Sequence, residues 1–233
     1  MLAGFRWLEY LGLLGGIGSL VVRRLARMRP QIAWVNPPMH IAFAAALAGG
    51  LGLLVAAPGW AVGVRVTLEG AALLLCVRGV PFVAPLAVFA AAALAVTGHA
   101  SGPGAMFADA LHTLSAAMWA GGILALASLR PPDGWRSEEA RALLERFGRV
   151  ALIAFGITAL TGLLRATEQL HDLSDLWTTA YGVVLSLKVA GVFAMLSLSL
   201  VWRRGRPVAG LEGGFAVLVV GATALLAAFP QPA

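Results

Sequence analysis

Along this chain, long apolar runs alternate with short clusters of glycine, proline and arginine. A helix needs about 20 mostly apolar residues to cross the hydrocarbon core of a bilayer. Eight runs approach that length, at about 5–22, 38–57, 60–78, 81–98, 106–129, 142–166, 179–202 and 211–229, each bounded by breaker residues or charge. The pattern predicts an all-α polytopic membrane bundle of about eight transmembrane helices. Its short connections predict a single transmembrane domain over residues 1–233. The first run, Leu8 to Val22, is read as a retained helix and not as a signal peptide, because Arg23, Arg24, Arg27 and Arg29 follow it in place of a small-residue cleavage site.

Composition agrees with that reading. Apolar residues make up 60% of the chain, charged residues 12%, and the mean hydropathy is +0.86, against about 25% charged in an ordinary soluble domain. A net charge of +6 would suit nucleic acid if the cations were clustered on one surface, but here they mark helix ends. Of the 17 basic residues, 13 fall in the loops after helices one, three, five and seven. Basic residues are retained on the cytoplasmic side, so both termini are expected to be extracytoplasmic, with the lipid bilayer as the partner and no nucleic acid. Indole rings favour the headgroup level. Trp7, Trp60 and Trp177 fall at outer ends and Trp34, Trp135 and Trp202 at inner ends, whereas Trp119 lies deep inside helix five.

Small residues supply surfaces for close helix approach: Gly12 and Gly16 form a G-x-x-x-G pair, and Gly49, Gly50, Gly121 and Gly122 add to it. Cys76 is the single cysteine, which excludes a disulfide framework and any C-x-x-C site. No nucleophile elbow, P-loop, H-E-x-x-H or dinucleotide fingerprint occurs. The expectation is a protein that is not an enzyme.

The predicted topology gathers His99, His112 and His171, with Asp109, Glu168, Asp172 and Asp175, toward the outer side. On helix five Asp109, His112, Ala116, Trp119 and Ile123 recur at steps of three and four, forming one stripe with Ser115 beside it. Ionisable groups within a span are costly and ordinarily face a bundle interior. The short connection 98–105 makes helices four and five antiparallel neighbours, which brings His99 to the same rim. Imidazole with carboxylate suits Cu(II) or Zn(II), and the thioethers of Met106 and Met118 suit Cu(I). Asp109 is either a ligand or a group that orients the imidazole. The alternative is that His112 and Asp109 serve structure, bonded to each other or to a facing helix.

G-H-A-S-G at 98–102 and D-A-L-H-T-L-S-A-A-M-W-A-G-G at 109–122 resemble the copper-resistance D (CopD) family of bacterial inner-membrane proteins. R-F-G-R-V-A-L at 146–152, T-G-L-L at 161–164, L-W-T-T-A-Y-G at 176–182 with Lys188, and the L-E before the last helix continue the resemblance, which covers 95–229. Helices one to four match only in general character, and no appended soluble copper-binding domain is expected. The resemblance implies copper transport or delivery at the inner membrane, beside a periplasmic copper-binding protein or an oxidase-assembly partner. It points to His99, Asp109, His112 and Trp119 as the functional cluster. The competing reading is a haem-binding, cytochrome b-type electron-transfer protein, because paired histidines on adjacent helices can be axial ligands.

Other charges lie within the spans. Arg65 and Glu69 are one turn apart on helix three, either a neutralising pair or a carboxylate on an ion or proton path. Lys188 either snorkels or pairs with Glu69 across the bundle. Met39 and His40 open helix two at the inner side, as a release point for Cu(I) or as interfacial residues. His171, with Asp172 and Asp175, is an entry ligand or part of a solvated acidic loop.

Overall fold

The computed structural model describes residues 1–96, 102–170, 172–203 and 209–227. Those residues form helices and connections only: α1 (Leu2–Ala26), α2 (Met39–Ala56), α3 (Trp60–Arg78), α4 (Val83–Val96), α5 (Pro103–Ala127), α6 (Glu138–Gln169), α7 (Asp175–Thr178), α8 (Ala180–Arg203) and α9 (Ala209–Leu226). Six of them are long and apolar enough to cross a membrane, namely α1, α2, α3, α5, α6 and α8, while α4 and α9 are shorter apolar helices. The eight expected spans are all present as helices. At 14 residues, α4 reaches only about 21 Å at 1.5 Å per residue.

The main differences from expectation lie at helix ends, where polar residues hide helical continuity. Helix α6 starts at Glu138, ahead of its apolar run, because Ser137 caps it: the Ala140 N–H donates to Ser137 Oγ at 3.3 Å, and Glu138 and Glu139 occupy the first turn. Its 32 residues span about 48 Å, more than the roughly 30 Å hydrocarbon core. Helix α1 continues through Arg23 and Arg24 into its last turn, where cations complement the helix dipole. The short α7 lies in a stretch expected to be loop.

Helix α1 is the hub. It packs against α2, α4, α5, α6 and α9, and its glycines make that possible. A Cβ on Gly12 would collide with the α2 backbone at Ala42 and Ala46, and one on Gly18 would collide with the α5 backbone at Gly121. Backbones therefore meet without intervening side chains. Phe43, Leu13, Val22, Ile123 and Leu126 are fully enclosed around this hub, whereas Ile41, Val55, Leu152, Ile153, Leu187, Phe193 and Leu200 are exposed along the outside. An apolar exterior over a packed interior is the arrangement that lipid requires.

The arginine-rich loops after α1 and α5 meet at one end of the bundle. Arg146 of α6 donates to the carbonyls of Leu25, Met28 and Pro30 at 3.0, 3.1 and 2.9 Å. The Trp34 indole donates to Glu139 at 2.8 Å and stands edge-on to Trp135 with ring centroids 6.3 Å apart. The two largest basic clusters thus share a side, as the charge count requires.

Candidate functional site

The stripe foreseen on α5 faces α6, and α6 answers it residue for residue. Running inward, Asp109 Oδ1 lies 2.8 Å from Arg165 Nε, His112 Nδ1 lies 3.0 Å from Thr161 Oγ1, and Thr158 Oγ1 donates to Ser115 Oγ at 2.8 Å. Trp119 then stacks edge-on against Phe155, with centroids 4.9 Å apart. Each pair is three or four residues from the next on both helices, the step that keeps side chains on one face. The result is a polar seam that starts at an ion pair one-fifth exposed on each side and ends at a buried indole.

Thr161 Oγ1 lies 2.7 Å from the Ile157 carbonyl and 3.0 Å from His112 Nδ1. With the hydroxyl hydrogen on that carbonyl, the oxygen accepts from Nδ1–H, the tautomer whose Nε2 lone pair can meet a metal. Gly162 provides room for this packing, since a Cβ there would sit 3.2 Å from His112 Cε1.

Asp109 does not orient His112: its carboxylate engages Arg165, and the imidazole is held by a threonine. Lys188 of α8, half-buried, acts on the imidazole together with Arg165. Its helix packs on α7 and α9, whereas the helix of Glu69, α3, packs on α2 and α4. Met106 and Met118, both half-buried, stand six residues from His112 on either side; at about 100° per residue they lie off its stripe by roughly a third of a turn. Met39 is buried against Phe43 and Ala72 while His40 is exposed, so the structure does not bring that pair's side chains to one point. His99 and His171 lie outside the described residues. Among the described residues no three of His, Cys, Asp and Glu gather as a ligand set.

Below Trp119 the seam opens into a cavity of about 100 Å³ whose walls include Trp119, Ile123, Phe147, Leu196, Ser199 and Glu212. Glu212, in the first turn of α9, is fully buried and accepts from the Ser199 hydroxyl, while its second oxygen has no hydrogen-bond partner among the described residues. Thr161 and Glu212 stood within motifs of the resemblance with no role of their own, and Thr158 and Arg165 were given none. The signal was available: T-x-x-T-x-x-x-R on α6 has the same periodicity as the α5 stripe.

Fold and seam together define a polytopic helical membrane protein with a polar line running between two of its helices into an inner cavity. Residues 141–228 match the family model for Copper resistance protein D, which shows the resemblance over α6 to α9 and takes in Thr158, Thr161, Arg165, Lys188 and Glu212. The α5 stripe lies ahead of that match. Over 111 residues the chain is 35% identical to the Copper transport protein CutJ of Bacillus subtilis (strain 168), covering 45% of this chain and 20% of that protein. The chain therefore spans about a fifth of the length of the curated relative it matches. No solved structure matches.

Proposed function

We propose that this protein moves or delivers copper at the bacterial inner membrane, with both termini on the outer side and copper as cargo. The observation that carries the reading is the seam itself: His112, held by Thr161 so that Nε2 is left for a ligand, lies on helices that lead from the outer rim to the cavity at Glu212. The match to Copper resistance protein D through the α6 side of that seam supports it. The reading is a carrier and not an enzyme.

A single imidazole beside two cationic side chains is a poor trap for a cation and a good exchange point, because Coulomb repulsion keeps residence short. Copper arrives from a periplasmic copper-binding donor, contacts His112 with His99 or a methionine as transient co-ligand, and leaves by ligand exchange, onward through the bundle or to an oxidase-assembly partner. Soft thioether and imidazole donors select Cu(I) over the hard divalent cations.

The test is copper accumulation in proteoliposomes containing the purified protein, with copper presented to the outer face. His112→Ala is expected to lower the initial rate at least tenfold. A His112→Ala rate equal to wild type, in protein shown to be folded, overturns the assignment of the seam.

A further inference from the structure

The N-terminal half carries a second buried polar group, away from the seam. Glu9 of α1 and Arg65 and Glu69 of α3 are 0%, 2% and 0% exposed. Arg65 Nε donates to Glu9 Oε1 at 2.6 Å and stands 4.0 Å from Glu69 Oε1. Gly50 of α2 makes the space, since a Cβ there would meet both carboxylates. Two carboxylates thus face one guanidinium, and among the described residues neither oxygen of Glu69 has a hydrogen-bond donor.

That arrangement is chemically incomplete. Ionised carboxylates are acceptors only, yet Glu69 Oε2 and Glu9 Oε1 crowd the same point, both within 3.2 Å of where a Cβ on Gly50 would stand. Two buried carboxylates that face the same guanidinium also repel each other, which disfavours ionising both. One proton removes both faults, since it relieves that repulsion and supplies the missing O–H···O donor. The other charged or titratable neighbours are Arg6 and Tyr10, both on α1; α2 and α4, packed against α3, bring no titratable group near the cluster.

A cavity of about 110 Å³ is walled by Leu2, Arg6, Glu9, Val62, Arg65 and Ala57, among others, which places it at the outer ends of α1, α2 and α3. We propose that Glu9 and Glu69 form a proton-binding site that holds one proton between two carboxylates and exchanges it with the outer medium through this cavity. On release the proton passes to cavity water as hydronium, both carboxylates are anionic, and Arg65 lies between them. On uptake the hydronium returns it to a carboxylate oxygen and Arg65 pairs with the other.

This site stands independently of the copper reading. The experiment is infrared spectroscopy of the protein in lipid nanodiscs across a pH series, with dicyclohexylcarbodiimide labelling mapped by mass spectrometry. In the wild type minus Glu69→Gln difference spectrum, one protonated-carboxyl C=O band is expected, shifting when H2O is replaced by D2O. Either Glu69→Gln or Glu9→Gln is expected to abolish carbodiimide labelling of the remaining carboxylate, because Arg65 then balances it alone. Absence of the band across the whole pH range of the folded protein overturns the proposal and leaves a fixed ion-pair staple. A band that never exchanges with D2O overturns the outer route.

Discussion

Thr161 holds His112 from the facing helix: its hydroxyl lies 2.7 Å from the Ile157 carbonyl and 3.0 Å from the imidazole Nδ1. Thr161→Val keeps the shape and takes this partner from a mostly buried ring nitrogen, at a cost of about 1–3 kcal/mol. The expected outcome is a lower melting temperature together with weaker copper competition against a chelator. Thr161→Ser, which keeps the acceptor, is expected to restore both.

Asp109 and Arg165 close the outer end of the same seam, but their pair is one-fifth exposed on each side. Partly exposed pairs couple by roughly 0.2–1 kcal/mol. A double-mutant cycle with Asp109→Asn and Arg165→Gln is expected to return a coupling within that range, reduced by added salt. The effect on copper uptake is expected to exceed the effect on melting, because Asp109→Asn leaves a less balanced cation beside His112, where copper would bind.

How much of this was legible in the sequence depends on whether the determining signal was local. The apolar runs announced the helices, and the stripe Asp109, His112, Trp119 is indeed one face of α5. The partners were not legible, because periodicity on one helix says which face is special and not what faces it. Asp109 was left open as a ligand, as a group orienting His112 or as a bond to a facing helix, and the fold pairs it with Arg165 of the facing helix, 56 residues later. Arg65 and Glu69 were read as a pair from i,i+4 spacing. The closer partner is Glu9, which comes from α1 because glycines let α1 and α2 pack tightly enough to bring it there. Lys188 was expected either to snorkel or to pair with Glu69, and the helices that carry the two residues pack on different neighbours.

Arg146 ties the loop after α1 to α6 through three backbone carbonyls. Charge-assisted bonds of this kind contribute about 1.5–3 kcal/mol each when buried and less where solvent reaches them. Arg146→Ala is expected to lower the stability by about 1–3 kcal/mol in a detergent melt. The same contacts require the two loops to share a side of the membrane. In a Cys76→Ser background, Met28→Cys and Asp133→Cys are expected to react with an impermeant thiol reagent from the same side only, the cytoplasmic one. Labelling from opposite sides would contradict the bundle.

The glycine contact between α1 and α5 gives the sharpest test of packing. Gly18 and Gly121 meet backbone to backbone: a Cβ on Gly18 would fall on the carbonyl of Gly121, and one on Gly121 would fall on the carbonyl of Leu14. No rotamer change relieves such a clash, because the obstructing atoms are main chain, so the helices themselves must separate. Overpacking against movable side chains costs about 1–3 kcal/mol, and a clash with backbone along the hub helix is expected to reach or exceed the top of that range. Separation would also pull α5 away from α6 and loosen the His112–Thr161 contact. Gly121→Val is therefore expected to give a polydisperse or low-yield protein on size exclusion, with copper uptake lost in whatever remains folded. Gly156→Ala on α6 is the control, because nothing lies within 4 Å of its added Cβ. There the substitution removes only glycine's backbone freedom, and a neutral or stabilising effect of up to about 1 kcal/mol is expected. If both variants behaved alike, the loss would belong to helix propensity and not to the α1–α5 contact.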